Sequence, residues 1–159
     1  MGREIRRVPP NWEHPKDKGK YVPLLDESYA NARREWIDAF DLWREGKHPE
    51  QIKYPNKSWV KDQDWWEYDS PPNRESYRPD FAEPPTWFQV YENVSEGTPV
   101  SPPFATKEEL VEYLVEHGDF WSEGGFSRKA AEAFVKDEYA PSMIIADGKI
   151  TVGIESAGR

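Results

Sequence analysis

The sequence predicts an α+β fold, a small and mostly antiparallel sheet covered by about three helices, and three observations carry that prediction. Trp87-Phe88-Gln89-Val90-Tyr91-Glu92-Asn93-Val94 is an aromatic and β-branched run with the composition of a strand over residues 87–94. Asp147-Gly148 separates two β-rich runs, and this dipeptide is the one that two-residue hairpin loops favour, so a hairpin is expected over residues 143–154. Apolar residues recur at helical spacing behind capping residues in three further places.

Taken in order, the chain is read as a single domain of 159 residues: an extended basic arm over residues 1–20, an irregular segment over 47–85 and a best-defined βααββ core over 86–155. Val8-Pro9-Pro10-Asn11-Trp12-Glu13-His14-Pro15 is too rich in proline for regular structure and reads as an extended strap anchored by Trp12. Residues 20–25 predict a short edge strand, since Pro23 excludes them from the centre of a sheet. Asp26 or Ser28 caps a first helix whose stripe is Tyr29, Ala32, Trp36, Phe40 and Trp43, widened by Ala39 and ended by Gly46. From residue 47 to 85 periodicity fails, because Pro49, Pro55, Pro71, Pro72, Pro79, Pro84 and Pro85 interrupt an aromatic-rich stretch. Such a long irregular segment is expected to wrap the core through its rings, with a weakly signalled helical turn within residues 58–68.

The remaining elements have clearer punctuation. Thr106 and Glu109 form a capping box before the stripe Leu110, Val111, Leu114 and Val115, and Gly118 closes that helix. Ser127 caps a helix over residues 128–139, with Phe126 placed to staple onto Ala131 and Ala130, Ala131, Phe134 and Val135 as its buried stripe. Around Asp147-Gly148 the register sets Ile145 opposite Ile150 and Met143 opposite Val152 on one side, with Ile144 opposite Thr151 on the other. That register predicts one consistently apolar face, with Ile145 and Ile150 a buried pair.

Composition narrows the function class. Mean hydropathy is low at -0.95, yet 8 Trp, 8 Tyr and 7 Phe supply large apolar surfaces, so the core is expected to be aromatic. The absence of cysteine excludes disulfides and thiolate metal ligation, and with no apolar leader and no run approaching the ~18 residues of a membrane span, a cytoplasmic protein is expected. The net charge of -9 works against nucleic-acid binding as the main task and suits a partner with a basic surface. Arg3, Arg6 and Arg7 offer a small basic cluster, for which ion pairs with the acidic body are the better reading than contact with phosphates.

Three segments carry a resemblance. Residues 2–15 (Gly2-Arg3-Glu4-Ile5-Arg6-Arg7-Val8-Pro9-Pro10-Asn11-Trp12-Glu13-His14-Pro15), Tyr21-Val22-Pro23-Leu24, and Tyr91-Glu92-Asn93-Val94-Ser95-Glu96-Gly97-Thr98-Pro99-Val100-Ser101-Pro102 resemble segments of small uncharacterised acidic proteins encoded in tailed bacteriophage and prophage genomes. The resemblance implies expression inside a bacterial host and favours host manipulation, including inhibition of a defence complex such as CRISPR-Cas. It brings no catalytic or binding residues with it.

No motif names a reaction. His14, His48 and His117 share no ligand spacing, Asp62-Gln63-Asp64 lacks the glycine and glutamate of a calcium loop, and neither a nucleophile elbow nor a phosphate-cradling glycine loop is present. No catalytic residue, metal or cofactor is therefore assigned. The candidate partner-binding residues are Trp59, Asp62, Asp64, Trp65, Trp66, Glu67, Tyr68 and Asp69, an acidic-aromatic cluster in which rings anchor and carboxylates steer. The competing reading packs these tryptophans on the domain's own core and leaves the carboxylates as a solvated rim. Trp65 and Trp66 point different ways in any regular backbone, so at least one exposed tryptophan is expected. A host or phage protein with a basic surface is the expected partner, with a monomer the favoured state; the alternatives are a structural or assembly component of a phage particle and, as an outsider, a small enzyme.

Overall fold

The computed structural model describes residues 2–93 and 97–157. In chain order the elements are β1 (Arg3–Val8), β2 (Lys16–Asp17), β3 (Lys20–Tyr21), β4 (Leu25–Ser28), α1 (Tyr29–Arg44), α2 (Pro49–Lys53), α3 (Ser58–Lys61), α4 (Trp65–Tyr68), β5 (Tyr77–Arg78), β6 (Trp87–Glu92), β7 (Thr98–Pro99), α5 (Lys107–His117), α6 (Arg128–Asp137), β8 (Tyr139–Ala140), β9 (Met143–Ala146) and β10 (Lys149–Val152). The fold is α+β. Expected as one domain, the chain divides into two compact units, one drawn from residues 1–24 and 80–159 and the other from residues 25–79.

The first unit is organised by a four-stranded antiparallel sheet in the order β7-β6-β1-β8. Its strand β6 falls where the aromatic run predicted it; the expected strand end at Val94 and the turn residues Ser95 and Glu96 lie outside the described residues. Within residues 1–20, expected as an extended basic arm, Arg3–Val8 form β1, which pairs along its whole length with β6 from Arg3 opposite Glu92 to Val8 opposite Trp87. Arginines hide this strand from a hydrophobicity reading, because Arg3 and Arg6 are as buried as Ile5. Arg3 Nε donates to Asp119 Oδ2 at 2.7 Å and its Nη1 lies 4.0 Å from Glu92. Arg6 donates to Glu4 and to the Leu24 carbonyl, with its guanidinium 4.5 Å over the Tyr91 ring.

Helices α5 and α6 lay their predicted stripes on this sheet, where Leu110, Leu114, Ala131, Phe134 and Val135 meet Ile5, Val90 and Val100. Each large side chain so buried contributes about 1.5–3 kcal/mol. The capping box at Thr106 and Glu109 is present, Ser127 Oγ accepts from the Ala130 N–H, and Gly118 ends α5 at φ 74°.

The hairpin forms in the expected register, Ile150 opposite Ile145 and Val152 opposite Met143, and its Asp147-Gly148 loop has both φ angles positive. Its environment differs from expectation. β9 and β10 make a separate two-stranded sheet, and Ile145 and Ile150 are 65% and 63% exposed rather than a buried pair. Period-two alternation fixes which residues share a face but not which face meets the core. Here Thr151 is buried, Ile144 is half-buried, and Ile154 in the following turn carries the apolar anchoring.

The second unit is built on α1, capped by Ser28 Oγ and followed by Gly46 at φ 72°, as predicted. A parallel bridge between β4 and β5 ties residues 25–28 to 77–78. Between them the segment expected to be irregular contains α2, α3 and α4, the last two realising the helical turn signalled within residues 58–68.

Candidate functional site

The aromatic stripe of α1 gives the second unit its core. Trp43, Val60 and Trp65 are buried, with Trp36, Phe40, Tyr54 and Tyr68 packed against them. The Trp65 ring lies 5.5 Å from Trp43 and 5.1 Å from His48, and Tyr68 stacks on Trp43 at 4.7 Å. Three indole N–H groups find backbone acceptors: Trp65 donates to Trp36 O, Trp43 to Gln63 O, and Trp36 to Asp69 O. These bonds pin the short helices α3 and α4 and the turns beside them to α1. His48 Nδ1 accepts from Glu50 N to start α2, and Glu67 Oε2 accepts from Asp64 N to start α4.

Two of the three tryptophans in the candidate cluster reach the surface. Trp65 sits in the core at 3% exposure, so its part in any site is to hold its neighbours. Trp66 is 52% exposed, and among the described residues neither its ring nor its indole N–H has a partner. Trp59 is 37% exposed with one face on Tyr68, the rings nearly parallel at 5.8 Å. Asp62, Asp64, Glu67 and Asp69 are all exposed, and among the described residues none of the four forms an ion pair. Tyr68 is half-buried; burial first, then the charges of Glu50 and Asp69, push its phenol above the ordinary tyrosine range.

A cleft of about 240 Å³ in the same unit joins Asp69 of the candidate cluster to Ala32, Trp36 and Ala39, which the sequence reading placed in the apolar stripe of α1, and to Glu27, Glu35 and Tyr77, to which it gave no role in a site. Ala32, Glu35, Trp36 and Ala39 share one face of α1 by their spacing, and the two alanines leave a trough between larger side chains. Glu27, Asp69 and Tyr77 complete the lining. The Tyr77 phenol is pushed up by burial and then by Glu27 and Asp69. Carboxylates from three segments thus meet two aromatic side chains in one concavity, a set that takes an ammonium or guanidinium group by charge pairing and cation–π contact. The missed residues have no local signature, because the long-range β4–β5 bridge is what brings Glu27 and Tyr77 together.

Among the described residues no group of three or more His, Cys, Asp or Glu is placed to hold a metal ion, and no helix is long and apolar enough to cross a membrane. Comparison with protein-family models, curated proteins and solved structures finds no match.

Proposed function

We propose that the chain is a non-enzymatic binding protein that engages the basic surface of a protein partner through the acidic-aromatic face of residues 25–79. The observation that carries this reading is Trp66, half exposed with an indole that has no partner among the described residues, in a stretch where Asp62, Asp64, Glu67 and Asp69 are exposed and, among the described residues, form no ion pair. Exposed tryptophan with uncommitted carboxylates has the chemistry of an interface anchor with steering charges, and the neighbouring cleft gives a partner's lysine or arginine a place to enter. The resemblance to phage-encoded proteins directs the proposal to a bacterial host protein, a defence complex such as CRISPR-Cas being its most specific form.

The test is capture from a bacterial lysate by the wild type, Trp66→Ala and Asp62→Asn/Asp64→Asn side by side. A partner retained by the wild type, lost with Trp66→Ala and released by moderate salt supports the reading; equal retention by all three overturns it.

A second reading, a self-associating structural or assembly component, is favoured by the exposed hairpin face of Met143, Ile145, Ile150 and Val152. Light scattering separates the two, since a concentration-independent monomer removes the second reading.

A further inference from the structure

The apolar face of the hairpin continues into a cleft of the same unit. Met143, Ile145, Ile150 and Val152 stand as a two-by-two array on β9 and β10, 51–65% exposed, and Val152 also lines a cleft of about 220 Å³ together with Trp121, Phe126 and Ile154. Trp121 leaves 68% of its surface in solvent. Its backbone is nevertheless fixed, because Asp119 Oδ1 accepts from the Trp121 N–H at 2.9 Å and the Asp119 carbonyl accepts from Ser122 Oγ. An exposed indole on an ordered loop and the end of an exposed apolar array thus border one concavity. Groups held in advance lose little entropy when a partner arrives.

The charges around the cleft leave one sign uncommitted. Its charged lining residues are Arg3, Asp119, Glu123 and Glu155. Arg3 and Asp119 are buried and spent on each other, paired at 2.7 Å, with Glu92 a further 4.0 Å from Arg3. Glu123 and Glu155 are exposed, and among the described residues neither forms an ion pair. Lys149 of the hairpin alternates onto the other face with Thr151, so the apolar array carries no cation of its own.

Size and spacing select what fits. Small-molecule pockets run to about 300–1,000 Å³, so a concavity of about 220 Å³ has room for one long side chain. A lysine or arginine answers both halves of its lining, the methylenes packing on Trp121 and Val152 and the charged head reaching Glu123 or Glu155. The array sets the shape of the rest. Residues two apart on a strand are about 6.6 Å apart and neighbouring strands about 4.8 Å, close to the roughly 5–6 Å between side chains at i, i+3 and i+4 of a helix. A helix with one apolar stripe covers such a face, whereas an extended peptide pairs with a strand edge and leaves the face open. A second copy of this chain is the poorer occupant, since each copy has a net charge of -9 and brings the same two carboxylates. Anionic lipid is repelled for the same reason.

We infer that the hairpin face and the Trp121 cleft together dock an amphipathic helix of another protein, its apolar stripe on Met143, Ile145, Ile150 and Val152 and one lysine or arginine in the cleft between Trp121 and Val152. The site belongs to the first unit and does not rest on the acidic-aromatic face of residues 25–79.

The experiment is an NMR titration of the ¹⁵N-labelled full chain with three designed peptides: a leucine-lysine amphipathic helix, a leucine-glutamate helix of the same pattern, and a leucine-lysine peptide whose stripe is scrambled. The leucine-lysine helix should saturate, shifting the Trp121 indole and the amides of Ile145, Ile150 and Val152, and the two controls should leave them in place. Ile145→Thr and Trp121→Ala, both at exposed positions, should each weaken binding about fivefold or more without moving the melting temperature. Glu123→Gln/Glu155→Gln should weaken it about fivefold at low salt, whereas Asp62→Asn/Asp64→Asn, an equal loss of charge in the other unit, should change it less than about twofold. Equal weakening by the two charge-removing pairs would reduce the effect to general attraction and overturn the inference. Shifts confined to residues 25–79, equal binding of the scrambled peptide, absence of saturable shifts at millimolar peptide, or a dimer in light scattering that the helix leaves intact overturns it as well.

Discussion

Trp65 and Trp66 are adjacent in the chain and opposite in environment, 3% and 52% exposed respectively, because a single turn of helix between Asp64 and Asp69 sends one ring into the core and the other into solvent. Trp65→Ala should therefore cost about 3–5 kcal/mol, and Trp66→Ala should stay within about 0.5 kcal/mol of the wild type. Denaturant melts measure both. Iodide should quench a fraction of the tryptophan emission in the free protein, and that fraction should fall in Trp66→Ala. Complete shielding, or equal destabilisation by the two changes, would contradict the arrangement.

The carboxylates beside Trp66 act at longer range. Replacing Asp62 and Asp64 by Asn keeps a capping side chain at the start of α4, so folding should be little affected. With a partner in hand, stopped-flow association should be slower and less sensitive to salt, while dissociation changes little. An effect confined to the dissociation rate would assign these groups to direct contact instead of steering.

Arg3 and Asp119 illustrate a different use of charge. Their 2.7 Å pair is almost fully buried, with Glu92 close by, and Asp119 also accepts from the Trp121 backbone N–H. Asp119→Ala leaves an arginine in the interior without its closest carboxylate, and should destabilise the chain by about 3–5 kcal/mol. Added salt should not rescue it, because the site is out of reach of the ionic atmosphere. A loss below about 1 kcal/mol would mean that water reaches Arg3.

The sequence reading succeeded where signals are local. Ser28, Thr106 and Ser127 cap helices through side-chain contacts within three residues, and Asp147-Gly148 fixes a register through a two-residue turn. It missed β1, since two of that strand's buried residues, one on each face, are arginines whose partners lie far along the chain: Asp119 is 116 residues from Arg3, and Leu24 is 18 from Arg6. For the candidate site, the adjacency of Trp65 and Trp66 was enough to foresee one exposed ring. The cleft of Glu27, Glu35, Trp36, Asp69 and Tyr77 was not legible, because it exists only after β4 and β5 pair.

Acid should weaken the first unit through Glu138. Hydrogen bonds from Arg7 and then Lys107 hold its carboxyl at about 2, below the ordinary 4.5. A carboxylate depressed in the folded state contributes its full stabilisation above the unfolded value and loses it as pH falls from about 4.5 toward about 2. In Glu138→Gln the decline in stability across that window should be shallower than in the wild type. Parallel slopes in acid titrations of the two proteins would show that the Arg7 and Lys107 contacts are not maintained in solution.

The exposure of the hairpin reverses what register alone implies. Met143, Ile145, Ile150 and Val152 all project from one face and are 51–65% exposed, whereas the polar Thr151 is buried on the other. Ile145→Thr or Ile150→Thr should therefore cost less than about 1 kcal/mol, while Phe134→Ala in the core beneath α6 should cost about 3–5 kcal/mol. A two-stranded sheet with an exposed apolar face is a template for association, so the same threonine changes should lower any concentration-dependent rise in scattering mass and reduce binding of a hydrophobic dye. If either isoleucine variant instead melts like Phe134→Ala, the hairpin's apolar face is covered within the folded chain, and its exposure is the element to revise.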